Sequence, residues 1–132
     1  MFSHVTLGVT DFDRAFAFYA PLLARLGLVL RFREEARPWA GWQPAAGGRP
    51  LFILTAPYDG QAAAPGNGVM LALDAPDRAT VRAAHALAVQ NGGSDAGAPG
   101  LRPQYHAHYY GAYVHDPDGN KLCFVCHGEP GA

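Results

Sequence analysis

The chain has 132 residues, with 10 basic and 11 acidic side chains, a formal net charge of −1, and 49% hydrophobic residues. That is one domain or two small fused modules, large enough to bury a core without disulfides or metal. No basic stripe stands out and no apolar run approaches the length of a membrane span, so neither nucleic acid nor a membrane is expected as a partner.

Residues 3–10 alternate, with Val5, Leu7 and Val9 apolar, and read as a half-buried strand that turns His4, Thr6 and Gly8 to its other face. Asp11 is placed to cap a helix, along which Ala15, Phe16, Tyr19, Leu22, Leu23 and Leu26 form one apolar stripe. Pro21 is expected to kink that helix and Gly27 to end it. Strands follow at 28–33, 39–43 and 51–55, with a turn over 45–49. Trp39 and Trp42, on the short middle strand, are candidates for a pocket wall, with core packing the simpler account. Residues 57–68 are rich in Pro, Gly and Ala and read as a linker or a loop over a site.

The pattern then begins again. A strand over 69–73 leads to Asp77, a second cap, and to a helix carrying Val81, Ala84, His85, Ala88 and Val89 inward, stopped by Gly92-Gly93. His85 reads as a satisfied core histidine. Residues 94–108 read as a long functional connection holding Arg102, Tyr105, His106 and His108. Arg offers a fork for a carboxylate or phosphate, and His106 and His108 share a face if the segment is extended. Strands at 110–115 and 121–127 flank an Asp-Pro-Asp-Gly-Asn turn. Cys123 and Cys126, three apart on the last strand, face opposite ways and cannot readily bridge. Free thiols, and no recognisable leader at the N-terminus, point to a reducing, cytoplasmic setting.

Counting tests the repeat. A shift of 66 lays Asp11 on Asp77, Leu7 on Leu73 and Gly27 on Gly93; a shift of 71 lays Trp42 on Tyr113, Gly48 on Gly119 and Leu51 on Leu122. The expected architecture is α+β: two tandem βαβββ modules, residues 1–57 and 68–128, joined by a linker at 58–67 and forming one domain of 1–132.

The stretch HVTLGVTDFDRAFAFYAPLLARLGL resembles the opening of vicinal oxygen chelate proteins, and APGLRPQYHAHYYGAYVHDPDGNKLCFVCHG is similar to the closing part of their glyoxalase/bleomycin-resistance-like members. The resemblance implies curved mixed sheets around a shared cavity, helices on the outside, and a homodimer. It also implies a divalent metal held by His on a first strand and Glu on a last strand, polarising substrate oxygens. His4 matches the first of these positions. The counted shifts put the others at Met70, Phe52 and Cys123. Phe52 cannot coordinate, and Met70 is a soft, poor ligand for Zn, Mg, Mn or Fe(II). With the ligand set degraded, no cofactor is expected, and His4 is a metal ligand only if a metal binds at all. The favoured function is capture of a small organic molecule by His4, Trp42, Met70, Arg102, Tyr105, His106, Tyr113 and Cys123. The alternatives are a metal-dependent lyase, isomerase or dioxygenase, and a metal-free enzyme using Arg102, Tyr105, His106 or Cys123.

Overall fold

A computed structural model describes residues 1–130. The first module runs β1 (His4–Gly8), α1 (Phe12–Arg25), β2 (Leu28–Glu34), β3 (Trp39–Pro44) and β4 (Leu51–Thr55). The second repeats it as β5 (Met70–Asp74), α2 (Arg78–Gln90), β6 (Ser94–Leu101), β7 (Tyr110–His115) and β8 (Lys121–Cys126). Each module forms its own four-stranded mixed sheet, ordered β1-β4-β3-β2 and β5-β8-β7-β6. Among the described residues no helix is long and apolar enough to cross a membrane.

Both predicted caps form. Asp11 Oδ1 accepts the Arg14 amide at 3.0 Å and Asp77 Oδ1 accepts the Thr80 amide at 2.7 Å. α1 continues through Pro21, which lies on its exposed side. Phe18, Tyr19, Leu22 and Leu23 are fully enclosed, each contributing about 1.5–3 kcal/mol of transfer free energy on folding. α1 covers β2, β3 and β4, α2 covers β6, β7 and β8, and the helices pack on each other. One apolar core therefore runs through both modules.

The pleat decides what each sheet turns away from that core. On β4, Phe52 and Leu54 belong to the core cluster; on β8, Leu122, Phe124 and Cys126 do, and Cys123 faces the other way. The two cysteines are free and on opposite faces, as the strand period requires.

Three readings from counting are corrected here. Residues 94–101 form the missing strand β6 despite their Gly and Pro, and its pairing with β7 slips twice, at Asp95/Gly97 and Gly97/Gly100. The connection proper is only 102–109. Second, the shift relating the last strands is 70, because His4 pairs with Leu51 and Met70 with Lys121. Trp42 pairs with Phe52, ten positions on, whereas Val114 pairs with Leu122, eight positions on. The first hairpin is thus two residues longer, and a count anchored on the turn glycines misaligned both strands by one. The counterpart of Cys123 is Ile53, and Phe52 faces α1. Third, the left-handed counterpart of Gly27 (φ +87°) is Gly92 (φ +106°), and Gly93 serves a different purpose.

The Asp-Pro-Asp-Gly-Asn turn clasps the modules together. Asp118 Oδ1 accepts the Thr10 amide at 2.9 Å and faces Arg14 at 3.5 Å, and Asn120 Nδ2 donates to the Gly8 carbonyl at 3.2 Å. Tyr19 on α1 donates its hydroxyl to Asp116 at 2.6 Å.

Candidate functional site: an aromatic cup on the second module

Each sheet's outer face is a separate cup. The first, of about 510 Å³, is lined by His4, Thr6, Trp39, Ile53 and Thr55 with the 56–58 segment. The second, of about 1360 Å³, is lined by Met70, Gly97, Arg102, Tyr105, His106, Tyr109, Tyr113, His115, Lys121 and His127 among others. Their linings share no residue.

This sorts the predicted site residues. Met70, Arg102, Tyr105, His106 and Tyr113 meet in the second cup, with Cys123 enclosed beneath its tyrosines. His4 lines the other cup; it is exposed, its Nδ1 2.9 Å from Ser3 Oγ. Trp42 lines neither. It is 2% exposed in the core, 5.5 Å from the Phe16 ring and 6.1 Å from Phe52. Odd and even positions of β3 part company there, so Trp39 reaches the first cup and Trp42 packs on α1.

The second cup is built on glycines. The Tyr113 ring lies over Gly97, where a Cβ would stand 2.8 Å from its Cδ2. The Tyr109 ring lies over Gly111 in the same manner. The slipped pairing of β6 with β7, which hid the strand in the sequence, thus makes room for Tyr113. Tyr110, three residues before Tyr113, faces α2 instead, with Arg78 and Arg82 over its ring.

The loop 102–109 is closed by the Arg102 amide donating to the Tyr109 carbonyl at 2.9 Å. The Arg102 side chain donates from Nη2 to the Ala98 carbonyl at 2.8 Å and stands 5.5 Å from the Tyr113 ring. Tyr105 packs on Tyr109 with centroids 4.8 Å apart. Beneath them, the Tyr109 hydroxyl lies 2.9 Å from that of Tyr113 and 3.4 Å from Cys123 Sγ. Burial first, then its thiol and phenol neighbours, push the Tyr109 phenol far above its usual range; burial likewise raises Tyr113 and the Cys123 thiol. All three keep their protons at neutral pH, so Cys123 is a poor nucleophile.

His106 and His127 were not linked in the sequence, because His127 lies just past the last strand and carries no motif. Their rings stack with centroids 5.1 Å apart, Nε2 of His106 lying 2.8 Å from Nδ1 of His127. The His108 amide donates to His106 Nδ1 at 3.2 Å. Neutral His106 therefore carries its proton on Nε2 and donates it to His127. His108 leans toward Glu129 at 3.6 Å. His85 is tied to Asp95 at 2.8 Å, the satisfied histidine that its place on α2 predicted.

The donor set does not fit a metal centre within one chain. Among the described residues no group of three or more His, Cys, Asp or Glu side chains is placed to hold an ion. Phe52 is in the core, Ile53 stands where it was expected, and His4 is in a different cup from Met70.

Paired βαβββ modules with cupped sheets define the class. The chain belongs to the Glyoxalase/Bleomycin resistance protein/Dioxygenase superfamily, whose profile matches residues 1–124. It is similar to a glyoxalase/bleomycin resistance protein from Albidiferax ferrireducens T118, with 35% identity over 97% of this chain and 99% of that one and a TM-score of 0.83. A glyoxalase/bleomycin resistance protein/dioxygenase family enzyme from Burkholderia phytofirmans PsJN shares the fold at 19% identity (96% and 98% covered, TM-score 0.70). So does a lactoylglutathione lyase from Agrobacterium tumefaciens at 18% (96% and 92% covered, TM-score 0.64). No curated protein matches the chain.

Proposed function

We propose that this chain captures a small organic molecule in the second-module cup, without a resident metal, in a cytoplasmic homodimer. The observation that carries this is the cup's construction: a roughly 1360 Å³ concavity walled by tyrosines, with a few polar groups converging on it. The ligand positions implied by the resemblance support the same view, since Met70 and Ile53 supply no hard donor. Val69 and Met70, 64% and 41% exposed at the cup's edge, are apolar surface that a second copy would cover. Both cysteines are unpaired, in keeping with a reducing compartment.

The test is a thermal-shift screen of aromatic and carboxylate compounds, with elemental analysis after incubation with Zn, Mn, Fe and Cu. Ligand-dependent stabilisation is expected by mass action. Metal content is expected below about one tenth of an equivalent, since one histidine does not make a site. Stoichiometric metal that is lost in His4→Ala would establish the metal-dependent lyase or dioxygenase alternative instead. A screen with no shift at all would remove the binding role.

A further inference from the structure

The cup is one-sided in charge. The chain has 11 acidic residues against 10 basic, yet among the described residues no Asp or Glu lines the cup, while Arg102 and Lys121 both do. The remaining titratable lining groups with a nitrogen are His106, His115 and His127, which can add only positive charge. Asp74 stands 3.9 Å from His127 Nε2 but outside the lining, at the end of β5.

The two cations converge on one aromatic ring. The Arg102 guanidinium lies 5.5 Å and the Lys121 ammonium 5.4 Å from the Tyr113 centroid. Neither has a carboxylate partner among the described residues. Arg102 gives two of its five N–H donors to the Ala98 and Leu101 carbonyls, which hold the fork in place, and three are left for a ligand. A planar fork and a compact ammonium near one ring, neither paired with a carboxylate, are groups that can receive one. The rings of Tyr105, Tyr109 and Tyr113 offer flat faces next to them.

We propose that the second-module cup selects a planar aromatic or conjugated carboxylate, its ring packed among Tyr105, Tyr109 and Tyr113 and its carboxylate received by Arg102 and Lys121. This rests on the cup being the binding site and goes further by fixing the ligand's charge and shape. Neutral analogues lose the charge-assisted bonds, and cationic ones add a third positive charge to the two already near the ring.

Calorimetric titration with a matched set tests it: 2-naphthoate, 2-naphthamide and 2-naphthylmethylammonium share one ring system and differ in charge. The carboxylate is expected to bind at least about tenfold more tightly than the amide, and the ammonium not at all, charge-assisted bonds being roughly twice as strong as neutral ones. Lys121→Met and Arg102→Gln are each expected to bring the carboxylate down toward the amide. Lys121→Met leaves the 102–109 loop untouched, so its result stands if Arg102→Gln loosens the fold. Equal affinity for all three probes overturns the charge selection while leaving the cup a binding site. No binding of any of the three overturns the inference too; the broader thermal-shift screen then decides separately whether the cup binds anything.

Discussion

The Tyr19 hydroxyl donates to Asp116 Oδ2 at 2.6 Å, joining the middle of the first helix to the turn before the last strand across 97 positions of sequence. Tyr19 is fully enclosed and Asp116 is 4% exposed. The carboxylate also receives the Asn120 amide side chain at 2.9 Å and the backbone amides of Asp118 and Asn120 at 2.9 and 2.8 Å. One buried anion thus ties helix, turn and strand, and through them the two modules. Tyr19→Phe keeps the ring's packing on Phe18 and Phe52 and removes only the donor. The expected loss is about 1.5–3 kcal/mol, the range for a hydrogen bond to a charged group. It is read as a lower urea midpoint with an unchanged slope. A loss below about 0.5 kcal/mol would mean that Asn120 and the turn amides satisfy Asp116 without help.

The same phenol has a consequence at high pH. Burial, then the Asp116 charge, raises the Tyr19 pKa well above that of a free phenol, and burial raises Tyr109 and Tyr113. In the unfolded chain these groups ionise near about 10. Their contribution to stability is complete below that pH. It declines as pH rises further, because the unfolded chain releases protons that the fold retains. The urea midpoint should therefore fall above about pH 10, and fall less in Tyr19→Phe. Phenolate absorbance assigned to these three residues by Phe replacement should appear at higher pH than that of a free phenol. Ionisation of Tyr109 and Tyr113 near pH 10 with the fold intact would show that the cup is wetter than its geometry implies.

The elements were readable where local chemistry decides them. Both Asp caps, the alternation of β1 and most of both helix stripes follow from side-chain type and period alone, though Val89, expected inward, is 42% exposed. What sequence period cannot give is register across a turn of unknown length. Two extra residues in the first hairpin put Phe52 and Trp42 one position out, and one position reverses the face of a strand. β6 was unreadable because Gly97 makes room for the Tyr113 ring and Gly100 for the Arg102 side chain, which are not the needs of a strand. In the site, Arg102, Tyr105 and His106 were found from their crowding in one segment, and Tyr113 as the counted counterpart of Trp42. Lys121 and His127 carry no such signal, and only the pairing of β7 with β8 brings them to the cup. The clasp at Asp116 was legible as a turn and illegible as a joint, since nothing local to it names Tyr19.

Gly92 and Gly93 look like a redundant stop signal, and they are not equivalent. Gly92 takes the left-handed backbone that ends α2. At Gly93 a Cβ would stand 2.8 Å from the Ala88 carbonyl oxygen, 2.9 Å from that of His115 and 2.9 Å from the Phe18 ring. Two of those three neighbours are backbone and cannot rotate away. Gly93→Ala is expected to cost about 1–3 kcal/mol or more, the scale of overpacking in a close-packed interior. Thermal or urea denaturation measures it. A neutral substitution would show that α2 can move off β7 at this end.

Cys123 gives the most direct check on how closed the cup floor is. Its thiol is enclosed, burial raises its pKa, and the hydrogen bonds from Tyr109 and Tyr113 only partly oppose that rise. Alkylation needs both access and thiolate. In a Cys126→Ala background, iodoacetamide at pH 8 should label Cys123 at least about tenfold more slowly than in the urea-unfolded chain, since each pKa unit alone changes the thiolate fraction about tenfold there. Tyr109→Phe removes a bond that favours the thiolate while keeping the ring as cover, so labelling should not accelerate. Tyr109→Ala removes the cover over Gly111 and should accelerate it. Wild-type labelling at the unfolded rate would mean that the two tyrosines do not seal the thiol. The floor of the cup would then be an open, reactive surface in place of a packed one.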